Sequence, residues 1–552
     1  MESLEASARV LLDRTTIRID GRPFFSFGFR LLLTPPEEME AVLVKLKEAG
    51  FTGVTSPPAS PGNFYAIDRL FEITNRLGIF VNLMSDPRVD KPSEYLAERY
   101  KHHPSLLSYC IATQNGSERE FARFCRERDR LRHQDVFHPI WTPYQEEFGL
   151  RLYIDSTDIH AISHTVGGPT KRKPMENGAN TVSQLFNECR THKIPGRPFF
   201  CHTLHARVSD EVRKLGVYDF DPVVNTHSPV HQDWYPYYSR IDEDSRWDFL
   251  PPDVDFIRLR CFEMLASRVR GIMVGNYDFM LGKVPFTGMD RFHELSIIAR
   301  EIEAVRDFFA EGQFVRGDLE TGHPGIKASM LHHTDDILVL LWRSGKSDEF
   351  WLDPMTMPRV EIRLDISSRE NIRAWSLDFP EVKPLELIRD AKGAVMFTLE
   401  NFDLTSKILL TRSHSRPQEI KDSVEKLLPK AVASRKQVVE IRQQKLQLIE
   451  NELGASQFAK PQRALLEEIR QLALEGTNLI KLEEHISAWQ RFTEAGYQQR
   501  VIINHQMVQT IANPPGGIVS ARVKCLRRSY YTLPQYYREL IQRDDQIIQE
   551  YT

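Results

Sequence analysis

Between residues 15 and 310 the chain alternates short apolar runs with amphipathic stretches, and it does so eight times. That alternation is how a parallel sheet with crossover helices reads, since successive parallel strands must be joined by a return segment. The strand runs are "FFSFGF" (24–29), "GVTS" (53–56), "IFVNLM" (79–84), "LLSYCIA" (106–112), "VFHPIW" (136–141), "DIHAIS" (158–163), "PFFCHTL" (198–204) and "GIMVGNY" (271–277). Eight such units within about 300 residues is the count of a (β/α)₈ TIM barrel. The first helical stretch, "TPPEEMEAVLVKLKEAGF", has Thr34 placed to cap, Pro35 at the first helical position and Glu37 to close a capping box. Met39, Val42, Leu43 and Leu46 then share a face, and Gly50 follows the end.

The period changes after residue 311. "ILVLLWRS", "VEIRLDIS", "NIRAWSLD", "AVMFTLE" and "KILLTR" are β-rich runs separated by Gly, Pro, Asp and Ser turns, which predicts a small antiparallel β-sandwich over 312–412. From 413 to 552 the pattern is helical: Val432, Val439, Leu446, Ile449 and Leu453 recur at coiled-coil-like spacing on a charge-rich background, and Leu482, Ile486 and Trp489 repeat the habit. Gly454, Gly476 and Gly496 are expected to punctuate these helices. The expected α/β organisation is thus a barrel with an N-terminal strand pair (1–311), a sandwich (312–412) and an α-helical C-terminal domain (413–552). The helices either pack on their own chain or present an oligomerisation or partner-docking surface.

A net charge of -4 supplies no basic field for nucleic acid, so no nucleic-acid partner is expected. The N-terminus lacks the basic start and apolar core of a secretory signal, and no run of about 18 apolar residues exists to span a bilayer. The expectation is a soluble protein, cytoplasmic or exported with its signal removed. The cysteines (Cys110, Cys125, Cys189, Cys201, Cys261, Cys525) include no CxxC pair and read as free thiols. His160 and His164 would stand roughly 13 Å apart on one face of a strand, too far to share a metal. "VGGPTKRKP" (166–174) lacks the ending of a phosphate loop. No metal and no cofactor is predicted.

The strand pair "TIRIDGRPFFSFGFR", the fourth barrel run "HPSLLSYCIA" and the stretch "DFIRLRCFEMLASRVRGIMVGNYDF" (255–279) together resemble bacterial glycoside hydrolase barrels of the β-galactosidase and cellulase superfamily. The resemblance covers about 400 residues by pattern, and it implies export where the cysteines imply a reducing interior. In that family the fourth strand ends in Asp-Glu-Pro or Asn-Glu-Pro, the Glu being the general acid/base. Laid on that pattern, "LLSYCIATQNG" puts Thr113 and Gln114 there. An amide has no titration near neutral pH and cannot shuttle a proton. The second carboxylate is implied at the end of the seventh strand, where "RPFFCHTLHARVSDE" offers His202 and His205, with Asp210 and Glu211 only further on.

Other carboxylates could face the mouth of the barrel: Asp86, Glu118, Asp233 and Asp278 all follow strand runs. Each also reads as a cap or loop ion pair; Glu118, for example, follows Ser117 at the start of the next helix. Chemistry suited to sugars is more plentiful. Trp141 and Tyr277 close their strand runs, and "HQDWYPYYSR" (231–240), which includes Trp234, concentrates aromatics whose faces stack on pyranose rings. Gln114, Asn115, His164 and His202 could bond hydroxyls. The expectation is a carbohydrate cleft that binds without the ordinary catalytic pair. Its rivals are an active glycosidase with a displaced pair and a structural protein using the barrel as scaffold.

Overall fold

The computed structural model describes residues 10–13, 16–31, 36–85, 92–111, 118–144, 156–166, 199–206, 254–266, 269–274, 289–319, 321–343, 357–364, 371–389, 394–453 and 460–512. The chain opens with a small antiparallel sheet, β1 (Val10–Asp13), β2 (Thr16–Ile19) and β3 (Arg22–Phe24). Asp20 and Gly21, both at positive φ (50° and 75°), join β2 to β3 in the two-residue turn that Asp-Gly favours.

Eight parallel strands follow: β4 (Ser26–Arg30), β5 (Gly53–Thr55), β6 (Phe80–Ser85), β7 (Leu106–Ile111), β8 (Ile140–Tyr144), β9 (Ile159–Val166), β10 (Phe199–Ala206) and β11 (Gly271–Val274). They pair in chain order, and β11 closes the ring on β4 with Gly271 beside Ser26. Helices return the chain after six of them: α1 (Met39–Glu48), α2 (Phe64–Leu77), α3 (Pro92–Tyr100), α4 (Glu118–Gln134), α5 (Val254–Ala266) and α6 (Met289–Ala304). The links from β8 to β9 and from β9 to β10 run largely outside the described residues. The strand runs anticipated from sequence recur with one material shift: the fifth strand begins at Ile140, not at residue 136. Helix α1 also starts later than its expected cap, at Met39 after a turn at 36–38, yet its buried face is Met39, Leu43 and Leu46, and Gly50 (φ 95°) follows it.

Alternation along β4 shows how the strands are built. Phe25, Phe27 and Phe29 point outward: Phe25 meets Phe309, and Phe27 and Phe29 meet Phe51, with Phe29 also on Phe292 of α6. Ser26, Gly28 and Arg30 therefore point into the ring. The interior is tight between β4 and β5, where a Cβ on Gly28 would lie 1.6 Å from the Gly53 carbonyl oxygen and one on Gly53 would lie 2.7 Å from Ser26 Oγ. At the end where the strands begin, Val10, Ile17 and Ile19 of the first sheet pack with Leu107, Trp141 and Ile159 and plug the ring.

A short helix α7 (Arg306–Glu311) leads into a six-stranded antiparallel sheet, in order β12 (Gln313–Leu319), β13 (Ile326–His333), β14 (Asp336–Arg343), β20 (Thr405–Thr411), β16 (Arg373–Ser376) and β17 (Lys383–Leu385). A second sheet, β15 (Met357–Leu364), β19 (Val395–Phe402) and β18 (Leu387–Arg389), faces it. Between Asp336 and Arg343 at its ends, strand β14 is apolar because it is buried on both sides. Val339 and Leu341 face the second sheet, while Leu338, Leu340 and Trp342 join the core shared with the barrel helices.

Three helices complete the described chain: α8 (Arg416–Leu453), α9 (Lys460–Lys481) and α10 (His485–Ala512). Val432, Val439 and Leu446, the sequence seam, are fully buried in the core that α8 shares with α6. Side chains of Ile449 and Leu453, and the residue Gly454, lie outside what is described. Gly476 and Gly496 do not end helices; they lie inside α9 and α10. At Gly476 the reason is close approach, since an added Cβ would stand 2.8 Å from the Phe492 ring. Leu482 falls in the exposed turn between α9 and α10, Ile486 is exposed, and Trp489 is buried beneath the Arg435 guanidinium at 4.9 Å.

Buried charges fasten these helices to the barrel. Asp255 on α5 accepts from Arg442 of α8 and Arg500 of α10, each at 2.9 Å, and Arg500 also reaches Asp403. Arg258 spans Glu294 (2.8 Å) and Glu301 (2.6 Å) of α6, Glu294 also takes Arg435 of α8, and Lys407 of β20 stands 3.5 Å from Glu301. Lys445 of α8 holds Asp290 at 2.6 Å. Burial opposes ionisation of Asp255, but the two guanidinium groups more than offset it and hold the carboxyl below the usual range.

Two measurements test this account. Gly28→Ala forces the β4 and β5 backbones apart and is expected to cost about 3 kcal/mol or fail to fold, read by urea denaturation. Asp255→Asn leaves two buried guanidinium groups undercompensated and is expected to cost about 3 to 5 kcal/mol. Because the folded carboxyl titrates below its unfolded value, the stabilisation is complete above about pH 4 and is lost as pH falls toward and through the folded value. Asp255→Asn should therefore flatten the acid limb of the melting profile.

Candidate functional site

A parallel barrel exposes the carboxyl ends of its strands at one mouth, and binding groups gather there. None of the eight strands β4 to β11 carries an Asp, Glu or Lys; Arg30 is the single arginine. Arg30 closes β4 and stands in register with Thr55, the last residue of β5. Its Nη2 meets Met84 Sδ at 3.6 Å, and its Nε is buried without an acceptor. Thr55 is fully buried, and its Oγ1 likewise has no partner. Cys110, inward on β7, is fully buried; burial pushes its thiol up to about 12 while Arg30 pulls the other way, so it is protonated at neutral pH.

One wall of the mouth is stitched rigidly. Met84 N–H donates to Ser56 Oγ at 2.9 Å, Ser56 Oγ donates to the Pro57 carbonyl, and Ala59 N–H reaches the Met84 carbonyl at 2.7 Å. Asn63 then ties the loop from within, its Nδ2 donating to the Pro58 carbonyl at 2.8 Å and its Oδ1 accepting from Ser60 N–H.

The structure corrects one expected site residue. Trp141 is the second residue of β8, not the last of its strand, and it is fully buried against the N-terminal sheet at the closed end of the barrel. Its Nε1 donates to Ser108 Oγ at 2.8 Å; Ser108 donates to Asn82, whose Nδ2 reaches the Val54 carbonyl at 3.4 Å and Met273 Sδ at 3.7 Å. This polar line crosses the barrel interior, so Trp141 has no face to offer a sugar. A second buried cluster, Tyr109 Oη and His138 Nδ1 both on Asp135 Oδ2 (2.9 and 2.7 Å), stands where α4 turns into β8, again away from the mouth.

His164 lies near the end of β9, and Thr165 pairs with His205 on β10, while His202 sits mid-strand opposite Ser163 and Met273. Glu118 is the first residue of α4. Gln114, Asn115, Trp234 and Tyr277, with Asp86, Asp233 and Asp278, lie outside the described residues. Sequence reasoning missed Arg30 and Thr55. The signal was there: Arg30 directly follows "FFSFGF", as Tyr277 and Asp278 follow their own apolar run.

No family model and no curated protein matches the sequence. Solved structures similar to the chain include xylanases, β-glucuronidases and an α-fucosidase. A glycoside hydrolase family 30 subfamily 8 xylanase from Clostridium acetobutylicum is 9% identical, with 70% of this chain and 96% of that chain covered and a TM-score of 0.39. The β-glucuronidase of Lactobacillus rhamnosus is 13% identical over 48% of this chain and 45% of its own, with a TM-score of 0.32. The α-fucosidase of Thermotoga maritima is 9% identical over 68% and 79%, with a TM-score of 0.38.

Trp141→Phe removes one buried hydrogen bond and is expected to cost about 1 kcal/mol in urea denaturation. Affinity for any sugar the protein binds should be unchanged in calorimetry, whereas a stacking role would weaken it.

Proposed function

We propose that the chain is a glycoside-hydrolase-like (β/α)₈ barrel, followed by a β-sandwich and a helical C-terminal domain, that holds carbohydrate at its mouth without hydrolysing it. The observation that carries the reading is the absence of any carboxylate from all eight barrel strands. Glycoside cleavage needs one carboxyl group to protonate the leaving oxygen and another to act as nucleophile or to activate water. Strand β7 ends at Ile111, so "ATQNG" follows it directly and Gln114 takes the place of the acid/base. Strand β10, "FFCHTLHA", likewise offers histidines where the second carboxylate belongs.

On this reading Gln114, Asn115, His164 and His202 bond hydroxyls, and Trp234 and Tyr277 stack on pyranose faces. Loss of general acid/base help removes about 10²- to 10⁴-fold in rate, while stacking is untouched. The purified protein should bind members of a panel of aryl glycosides and oligosaccharides without turning them over, and Tyr277→Ala should weaken that binding. Robust turnover that disappears in Asp278→Asn would instead identify a displaced catalytic group and overturn the proposal. A Gln114→Glu variant, assayed beside them, tests whether the missing acid is all that separates the cleft from activity.

A further inference from the structure

The strands that close the barrel hold one formal positive charge and no negative charge, and the positive charge lies at the mouth. Among the described residues Arg30 has no carboxylate partner, and its hydrogen bond goes to the Met84 thioether, a poor acceptor, at 3.6 Å. Arg258, Arg442 and Arg500 pair with carboxylates, and Arg270 and Arg300 reach backbone carbonyl oxygens, stronger acceptors than a thioether. A guanidinium Nε left buried and unbonded is destabilising, and Thr55 Oγ1, fully buried in the adjoining register position, adds a second orphaned donor. Both side chains point into the ring, because Phe29 and Val54 beside them point out into the helical core. Two donors, one of them cationic, left unsatisfied together on the inner wall of a mouth, suit an incoming oxyanion.

We propose that Arg30 and Thr55 form an oxyanion subsite, so that the ligand of the cleft is an acidic sugar whose carboxylate or sulfate group the guanidinium and the hydroxyl receive. The sugar half of this statement rests on the function proposed above; the oxyanion half does not. A planar guanidinium bonds a carboxylate or a sulfate through two parallel N–H groups, and the threonine hydroxyl adds a third donor. Neutral sugars would leave both donors unpaired, which is the basis for discrimination.

Calorimetry on the intact chain with D-glucuronate, D-glucose 6-sulfate, D-glucose and inorganic sulfate tests this, with Arg30→Gln and Thr55→Val as variants. At least one acidic sugar should bind about ten-fold or more tightly than D-glucose, equivalent to about 1.4 kcal/mol, and which of the two does so identifies the source of the oxyanion. Arg30→Gln should abolish the preference. Thr55→Val should weaken it several-fold while the melting temperature holds or rises, since the variant deletes an unsatisfied buried hydroxyl; a purely structural threonine would not separate the two readouts. Equal binding of all three sugars by the unmodified protein overturns the proposal, as does a preference that survives in Arg30→Gln or, should that variant not fold, in Thr55→Val. Binding of inorganic sulfate that Arg30→Gln abolishes, with no sugar bound, upholds the subsite and removes the carbohydrate reading. No binding of any probe removes both.

Discussion

Asp255 is the point on which the described structure turns. It sits on α5, the helix that leads into the strand closing the barrel, and it is buried. A lone carboxylate there would be ruinous; paired with Arg442 and Arg500 it becomes a joint between the barrel and two helices, α8 and α10. The neighbouring pairs on Arg258, Glu294, Glu301 and Lys407 extend the joint to the sandwich. Hydrophobic burial supplies the driving force for these contacts, but apolar faces tolerate sliding, and directional charge pairs do not. The register of α8 on α6 is fixed at Lys445 on Asp290 and Arg435 on Glu294.

The barrel interior follows the opposite economy. Glycines at 28 and 53 admit the close approach of β4 and β5, and the polar line through Asn82, Ser108 and Trp141 satisfies itself. Every hydrogen bond in that line is spent internally at the closed end. At the open end Arg30 Nε and Thr55 Oγ1 have no acceptor, and where β4 begins the Ser26 hydroxyl is likewise unpaired; only at the open end is one of these groups cationic.

Much of the fold was legible because periodicity is a property of burial. Strands β4 to β11 are short, apolar and evenly spaced, and seven of the eight strand runs overlap their observed strands closely. The fifth run was misplaced because "VFHPIW" is as apolar as a strand, although Asp135 folds its first half into a turn by accepting from the backbone N–H groups of Phe137 and His138. That shift alone moved Trp141 from the imagined mouth to the plugged end. Gly476 was misread for a related reason: a glycine that admits Phe492 and a glycine that stops a helix look alike until the partner helix is known. Arg30 went unnoticed because a charged residue at a strand end is ordinary, and what sets it apart, a place on the inner wall with a thioether as its acceptor, is a matter of three-dimensional surroundings.

The joint at Asp255 also sets an order on biosynthesis. Arg500 lies 245 residues beyond the carboxylate it neutralises, so a ribosome releases the whole barrel and sandwich before the counter-charge exists. Until then Arg258 already holds Glu294 and Glu301, but Asp255 and Asp290 lack Arg442, Arg500 and Lys445, and the apolar face of α6 that α8 covers is open, the kind of transiently exposed surface that makes folding intermediates prone to aggregate. The chain is therefore a poor subject for dissection at its apparent boundaries, and one whose maturation is decided late, when its third region arrives.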